Sequence, residues 1–297
     1  PENTFAIIIG ISEYAYINGL KYADKDAELF KNFLMSRSGG NVPQSNILLL
    51  VNDSAKYGDI LSRAYGWLNS RNMKKGDRFY FYFAGHGDAS NEILQFFLVN
   101  DSNPKDKNLM MASAVRISDV KGAFILPLIN KGIEVVFVVD ACRSNEVSGG
   151  PEGQRYFRQS ILEQQLGEMS FIATNKDHVA YEDRNYGTGH GLFTYFLIQG
   201  LLGAADLEGD NNGIVSYADL KDYVPRKVRI ETSKAENKTK FPTTQEPVFC
   251  CEVDGSKIMS KVDPEEIAKF KVKDEMGKIL GSNEPVLAKN TAGRGNT

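Results

Sequence analysis

The sequence predicts an α/β protein in which helices cover both faces of a central, mostly parallel sheet of about six strands. Apolar runs of strand length recur along the first half of the chain, and segments with helical apolar spacing separate them. Such runs are typical of strands that are buried on both faces of a parallel sheet. The alternation of strands and helices also implies right-handed crossovers, which place helices on both faces of the sheet.

Each element follows from a local pattern. Apolar runs predict strands at 5–11, 47–51, 77–84, 94–99, 134–139, 169–174 and 247–253, the last of them antiparallel. Apolar residues at helical spacing predict helices at about 22–35, 55–72, 117–130, 191–202 and 218–230.

One domain is expected over residues 1–255, followed by a charged extension or linker at 256–297. Within the domain, residues 1–144 and 169–255 form two parts on either side of a linker at 145–168. The linker begins with glycines and a proline and has no strong apolar period, so we predict that it is mobile. The chain begins with Pro rather than Met, which fits the earlier removal of a signal peptide or an upstream domain.

The composition is that of an ordinary globular protein. Of 297 residues, 42% are hydrophobic and 25% are charged, and the net charge of −3 gives no electrostatic reason to expect nucleic acid. No apolar run approaches the length of about 18 residues that suggests a membrane span. Three cysteines cannot form a disulfide framework, which fits a reducing compartment and predicts a cytoplasmic protein.

Two of the predicted strands end in side chains that can form a nucleophile and its base. His86 and Cys142 each follow an apolar strand. The carboxyl ends of neighbouring parallel strands meet at one edge of a sheet, so we expect the imidazole to lie within reach of the thiol. The N–H groups of Gly87 and Cys142 would then form an oxyanion hole. Either residue alone would more simply be structural, as we expect for His178 and His190.

The motifs around these residues resemble those of the caspase-like (clan CD) cysteine peptidases, and among them the metacaspases, bacterial orthocaspases and paracaspases. The resemblance covers residues 5–253. It rests on Gly85-His86-Gly87, Asp140-Ala141-Cys142-Arg143-Ser144 and Gly191-Leu192-Phe193-Thr194. The His-to-Cys spacing fits the caspase signature, although Asp140 and Ser144 replace its Gln and Gly. The resemblance implies a caspase-like three-layer α/β/α sandwich and a cysteine endopeptidase.

The resemblance also implies an acidic pocket for the side chain before the scissile bond. True caspases have a basic pocket that accepts Asp, whereas relatives with an acidic residue two positions before the Cys, here Asp140, cut after Arg or Lys. The first-helix motif places Asp26 in a second acidic position, with Asp24 as its alternative, and Glu182 resembles a third. Converging carboxylates would select a cationic side chain, and Arg where the geometry is bidentate. Solvated surface positions are the alternative for Asp26 and Glu182.

Arginines in the linker suggest that the chain cuts itself. Arg143, Arg155 and Arg158 follow Cys142 in the sequence, and members of the group with Arg or Lys specificity often cut themselves in this region. We therefore expect self-cleavage, with Arg155 or Arg158 as the site. The alternative is that these arginines are surface charges.

Two segments suggest calcium, but neither has a full ligand set. Residues 208–215, which include Asp210, resemble the first part of an EF-hand loop without its usual first and last ligands. In calcium-activated metacaspases an acidic site lies between the His and the Cys. The matching stretch here keeps Asp119 and carries Lys121, with Asp101 as a further candidate ligand. A Lys opposes a dication, so we expect turn and helix-cap roles for these residues and no cofactor.

Two classes of function stay open at the level of sequence. The intact pair of His86 and Cys142 favours an endopeptidase, and a caspase-like regulatory or binding scaffold without turnover is the alternative. A thiol transferase or deamidase would share the pair without needing an acidic pocket. The expected partners are proteins with Arg or Lys before the cut, and flanking domains of a longer protein. The final strand is an edge at which caspases and paracaspases pair two subunits, whereas metacaspases remain monomeric.

Overall fold

A six-stranded sheet forms the centre of the computed structural model, which describes residues 1–91, 93–141, 150–163, 165–175, 178–250 and 253–269. The strands in chain order are β1 (Thr4–Gly10), β2 (Ile47–Val51), β3 (Arg78–Gly85), β4 (Gly87–Ala89), β5 (Gln95–Phe97), β6 (Val115–Arg116), β7 (Glu134–Ala141), β8 (Met169–Ile172), β9 (Glu182–Asp183), β10 (His190–Gly191), β11 (Ile214–Ser216), β12 (Val248–Cys250) and β13 (Ile258–Lys261).

Helices lie on both faces of this sheet. They are α1 (Ala23–Met35), α2 (Tyr65–Asn69), α3 (Lys107–Ser113), α4 (Ile117–Val120), α5 (Leu126–Asn130), α6 (Gly150–Glu163), α7 (Leu192–Gln199), α8 (Ala205–Glu208) and α9 (Tyr217–Ser233). Wider π-helical turns precede α2 and join α4 to α5 and α7 to α8. None of the described helices is both long and apolar enough to cross a membrane.

The central sheet has the strand order β12-β8-β7-β3-β1-β2. All neighbouring strands are parallel except β12, which runs antiparallel to β8. The predicted six strands, mostly parallel and with an antiparallel last strand, are therefore confirmed. The adjacent strands β3 and β7 lie in the middle of the sheet, and both are buried along nearly their whole length.

Alternation along the strands divides the core into two apolar layers. In β7, Val136 and Val138 face a layer that includes α1, α7 and α9, whereas Phe137 and Val139 face a layer with α2, α4 and α6. Because successive strand side chains point to opposite faces, Asp140 lies on the same face as Val138. Helix α7 belongs to this first layer and contacts Asp140 through Thr194.

Part of the predicted mobile linker is helical. Residues 150–163 form α6, in which Phe157 and Ile161 are fully buried. The sequence shows only a narrow apolar stripe here. The helix is stabilised by tertiary packing on β4 and on the aromatic core, which a local pattern does not reveal. Residues 145–149 lie outside the described residues.

Described residues beyond 255 also pack against the rest of the fold. Strand β13 pairs with β11, and Met259 is buried in the same layer as α9. The buried Arg78 guanidinium donates to the Ile258 carbonyl oxygen at 2.8 Å, which ties this segment to the start of β3. Two of the predicted secondary-structure elements differ in detail from the structure. The helix predicted over 55–72 begins as a π-helical turn at Asp59, and the strand predicted over 94–99 is the short β5 in a separate sheet with β4 and β6.

Candidate active site

The parallel register of β3 and β7 places the two motif strands side by side. Ala84 pairs with Asp140 and Gly85 pairs with Ala141. The next residue along each strand is His86 or Cys142, so the chain leaves both strands at the same edge of the sheet. Cys142 itself lies outside the described residues, and its pairing with His86 stays a prediction.

His86 is held by the loop between β1 and α1. The imidazole is 3% exposed and its Nε2 atom lies 3.1 Å from the carbonyl oxygen of Asn18. A carbonyl oxygen only accepts hydrogen bonds, so Nε2 carries a proton and Nδ1 is the basic nitrogen of the neutral ring. The Tyr14 ring packs against the imidazole with centroids 4.8 Å apart, and its hydroxyl accepts the backbone N–H of His86 at 2.8 Å.

Gly87 follows His86 and is tightly enclosed. A Cβ atom at this position would lie 2.3 Å from the Phe157 ring of α6, so only glycine fits without a shift. The neighbouring strand β5 pairs with β4 at Gly87 and Phe97. The predicted oxyanion role of the Gly87 N–H is not tested by these contacts.

Two acidic residues of the predicted pocket are buried on the same face of the sheet. Asp26 is 0% exposed and accepts hydrogen bonds from His190 Nδ1 at 2.9 Å and from the Gly191 N–H at 3.1 Å. Asp140 is 1% exposed and accepts a hydrogen bond from the Thr194 hydroxyl at 2.7 Å. The first turn of α7 therefore connects both carboxylates.

Glu182 lies at the edge of the same region. It pairs with Gly191 across β9 and β10, and its carboxylate accepts the N–H groups of Lys21 at 3.0 Å and Tyr22 at 3.2 Å. These bonds hold the residues before α1, the helix that carries Asp26. The two backbone N–H groups therefore fix the position of the half-buried Glu182 carboxylate.

Asp24, the alternative to Asp26, has a different environment. Its carboxylate accepts the Ser12 hydroxyl at 2.7 Å and the Asn52 side-chain amide at 3.2 Å. Asp24 thus links α1 to the loops after β1 and β2, whereas Asp26 faces α7. The assignment of Asp26 to the pocket, with Asp24 as its alternative, stays a prediction.

The hydrogen-bond donors to Asp26 and Asp140 were not predicted from the sequence. His190, expected to be structural, contacts Asp26, while His178 Nδ1 bonds to Asn175 Oδ1 at 2.7 Å. Thr194 belongs to a recognised motif, but no sequence signal paired it with Asp140. The two residues are 54 positions apart and meet only through the tertiary fold.

The linker arginines differ in exposure. Arg155 is exposed on α6, whereas Arg158 is 5% exposed and faces the protein. Arg143 lies outside the described residues. Because Arg158 is packed inside a helix, a protease could reach its backbone only after local opening of α6.

The candidate calcium ligands belong to different local elements of the fold. Asp101 accepts the Tyr57 N–H at 2.9 Å, Asp210 accepts the Asn212 side-chain amide at 2.7 Å, and Asp119 lies in the first turn of α4. The loop at 208–215 is organised by the buried Asp206, which accepts the Asn212 N–H at 2.7 Å. Within the described ranges, no cluster of three or more His, Cys, Asp or Glu residues is placed to hold a metal ion.

Sequence comparison identifies relatives among proteases. A family model described as the caspase domain matches residues 3–254. A probable protease of a Desulfuromonadales bacterium is 28% identical over 264 residues, which cover 82% of this chain and 32% of that protein. Metacaspase-1 of Plasmodium falciparum is 28% identical over 148 residues, which cover 47% of this chain and 23% of that protein. The chain thus spans a third or less of the length of these two relatives.

Solved structures with the same fold are more distant in sequence. A protein from Geobacter sulfurreducens superposes with a TM-score of 0.53 at 14% identity and covers 88% of this chain and 100% of its own. The structure of pro-sf-caspase-1 gives a TM-score of 0.52 at 13% identity, covering 86% of this chain and 94% of its own. With the family model matching most of the sequence, the chain belongs to the family of peptidases that share the caspase domain.

Proposed function

We propose that this chain is a cysteine endopeptidase that cuts proteins after Arg, and less readily after Lys, by means of Cys142 and His86. One observation carries the proposal. Asp26 and Asp140 are both buried, and the donors that bond to them, His190, Gly191 and Thr194, belong to one short segment at the start of α7. Two carboxylates in one region favour a cationic substrate side chain, because Coulomb attraction and charge-assisted hydrogen bonds stabilise it there.

The proposed reaction begins with the thiol proton of Cys142 moving to His86 Nδ1. The thiolate then attacks the carbonyl carbon, and the N–H groups of Gly87 and Cys142 stabilise the oxyanion. His86 returns the proton to the leaving amine as the C–N bond breaks, which leaves a thioester on Cys142. Water loses a proton to His86 and attacks the thioester, which releases the new carboxyl terminus and restores the thiol. Throughout, Nε2–H keeps its bond to the Asn18 carbonyl oxygen, which stabilises the imidazolium form.

Charge and hydrogen-bond geometry support the preference for Arg. A guanidinium offers several N–H donors in one plane and binds a carboxylate through two parallel bonds, whereas an ammonium is a point charge. Asp140 would bind the guanidinium, Asp26 would add negative charge, and Glu182 would contribute at the rim beside Lys21 and Tyr22. An Asp side chain before the cut would be repelled by the same groups.

The test is hydrolysis of matched fluorogenic peptides that differ only in Arg, Lys or Asp before the cut, with and without calcium. We expect turnover of the Arg peptide, slower turnover of the Lys peptide and no turnover of the Asp peptide. Cys142→Ala is the control and should abolish all turnover. Asp140→Asn should lower kcat/KM for Arg by about 100-fold through loss of a charged partner. A preference for Asp would refute the pocket while leaving the nucleophile in place.

The scaffold alternative has its own readout in this experiment. If no peptide is cut although iodoacetamide modifies Cys142 in the wild type, the chain carries an accessible thiol without turnover under those conditions. That result would favour a regulatory or binding module. Turnover that survives in Cys142→Ala would instead refute the assigned nucleophile.

We further propose that the chain cuts itself at Arg155 or Arg158, with Arg143 as a third site. The exposed Arg155 is the easier target, and both α6 arginines need local opening of the helix. Purified wild type should yield fragments that end at these arginines by mass spectrometry, and Cys142→Ala should remain intact. Identical fragments from Arg155→Gln/Arg158→Gln would contradict these two sites.

We also propose that the domain acts within a longer protein in a reducing compartment such as the cytoplasm. The curated relatives are about three times as long as the matched region or longer, which supports additional domains in such proteins. A thiolate nucleophile needs reducing surroundings, because oxidation of the sulfur would stop the reaction. Fractionation of the source cells with an antibody against the domain would test both the size and the compartment.

A further inference from the structure

A chain of hydroxyl groups runs from the middle of β3 to the carboxylate of Asp140. The Tyr82 hydroxyl lies 2.7 Å from Thr194 Oγ1, and Thr194 Oγ1 lies 2.7 Å from Asp140 Oδ2. All three side chains are buried, with Tyr82 and Thr194 at 0% exposure. Tyr82 and Asp140 come from adjacent strands, and Thr194 reaches both from the first turn of α7.

The direction of the hydrogen bonds follows from proton counting. An ionised carboxylate only accepts, so the Thr194 hydroxyl uses its single proton toward Asp140. Thr194 Oγ1 can then only accept from Tyr82, and the Tyr82 hydroxyl is the donor. Each hydroxyl in the chain polarises the next, which strengthens the final bond to Asp140.

The hydrogen-bonded hydroxyl groups of Tyr82 and Thr194 fix the orientation of the Asp140 carboxylate. The bond from Thr194 holds Oδ2 and thereby sets the plane of the Asp140 carboxylate. Tyr82 is itself fixed by the sheet and by stacking on Phe30, with ring centroids 4.6 Å apart. Rotation of the Asp140 side chain would therefore break a buried hydrogen bond and leave the Thr194 hydroxyl without its acceptor, which is costly in an apolar layer.

We propose that Thr194, supported by Tyr82, is a specificity-determining positioning residue that sets the preference for Arg over Lys. The inference rests on the proposed function. Two parallel hydrogen bonds to a guanidinium require a carboxylate in one plane, whereas an ammonium accepts many approach directions. Loss of the Thr194 hydroxyl therefore weakens recognition of Arg more than recognition of Lys.

The experiment compares Thr194→Val with Thr194→Ser on the Arg and Lys peptides. Valine keeps the shape and removes the hydroxyl, while serine keeps the hydroxyl and is the rescue variant. We expect Thr194→Val to lower kcat/KM for Arg by about tenfold and for Lys by less than about threefold, the scale of one charge-assisted hydrogen bond. Thr194→Ser should retain the wild-type ratio. The rate at which iodoacetamide alkylates Cys142 reports on the nucleophile and should stay unchanged.

An equal loss on both peptides, or an unchanged ratio, would overturn the role of Thr194. Tyr82→Phe provides a second measurement if Thr194→Val does not fold. It leaves the bond from Thr194 to Asp140 in place, so the Arg-to-Lys ratio should fall by a smaller factor, about threefold. An unchanged ratio in Tyr82→Phe would then overturn the inference. Failure of the proposed function is recognised separately, because the wild type itself would not prefer basic peptides.

Discussion

Replacement of Lys121 by Met should destabilise the fold by about 3–5 kcal/mol, because it leaves a buried carboxylate without its cation. Lys121 Nζ lies 2.8 Å from Glu168 Oε1, and the two side chains are 4% and 0% exposed. The other Glu168 oxygen accepts the Leu166 N–H at 2.8 Å. The ion pair between Lys121 and Glu168 therefore connects the π-helical turn after α4 to the residues that precede β8.

The magnitude follows from two opposing contributions. At 2.8 Å and an effective dielectric constant of about 20, the Coulomb attraction is about 6 kcal/mol. Desolvation of each ion costs several kcal/mol, so the intact pair is close to neutral in its effect on folding. The lysine also lies 5.4 Å from the Phe137 ring centroid, which adds a cation–π contact. Removing only the cation keeps the desolvation cost of Glu168 and loses the attraction.

Urea unfolding followed by far-ultraviolet circular dichroism measures the change in unfolding free energy. In thermal unfolding, Tm should fall by roughly 10 °C. Lys121→Met/Glu168→Gln is the matched control, since it removes both charges and should regain most of the lost stability. A loss below about 1 kcal/mol in Lys121→Met would refute the reasoning, because an unpaired buried carboxylate cannot be that inexpensive. A double variant as unstable as the single one would show that packing, rather than charge, causes the loss.

Three further predictions concern the packing of α6, the positioning of His86 and the ion pairs of Glu134. Phe157→Ala should cost about 3–5 kcal/mol of unfolding free energy because the ring is fully buried, whereas a loss below about 1 kcal/mol would contradict the packing of α6. Tyr14→Phe removes the hydroxyl that accepts the His86 backbone N–H, and should lower kcat about tenfold together with a modest fall in Tm; unaltered kcat would exclude a positioning role. Burial alone would raise the pKa of Glu134, but the nearby Arg78 and Lys257 charges lower it overall. Its contribution to stability is therefore present above the usual carboxylate pKa and lost as pH falls below it, so Glu134→Gln should flatten the acid limb of Tm against pH.

The central sheet was predictable because its strands are buried on both faces. The uninterrupted apolar run at 135–139 predicts a buried strand, and the boundaries of β7 (Glu134–Ala141) were predicted within two residues. The antiparallel β12 was also predicted. Short strands outside the central sheet, such as β4 and β9, have too few residues to produce a period and were not predicted.

Helix α6 and strand β13 were missed for a different physical reason. The sequence of α6 begins with glycines and a proline and carries only Phe157 and Ile161 as core residues, so local propensity favours a loop. The helix depends on packing of Phe157 against Gly87, residues that are far apart in sequence. Strand β13 likewise depends on its pairing with β11. Tertiary contacts of this kind have no local signature.

The hydrogen-bond partners of the predicted acidic residues were not predictable from the sequence. Asp26 and Asp140 stand in recognisable motifs, whereas the donors to them belong to the segment at 190–194. The different environments of Asp24 and Asp26 also required the structure, because the helix presents the two side chains to different neighbours. Motifs therefore identify charged groups, while the fold determines which dipoles orient them.

The same architecture would tolerate the proposed cut at Arg155. Strand β7 precedes the linker and β8 follows it, yet the two are paired in register from Val136 with Met169 to Val139 with Ile172. A break at Arg155 would therefore leave both fragments in one sheet, held by the apolar layer that α1 and α7 share. Asp140 would stay on the first fragment and Thr194 on the second, with their hydrogen bond inside that layer. Covalent continuity thus matters less to the hydrogen bond between Thr194 and Asp140 than burial does.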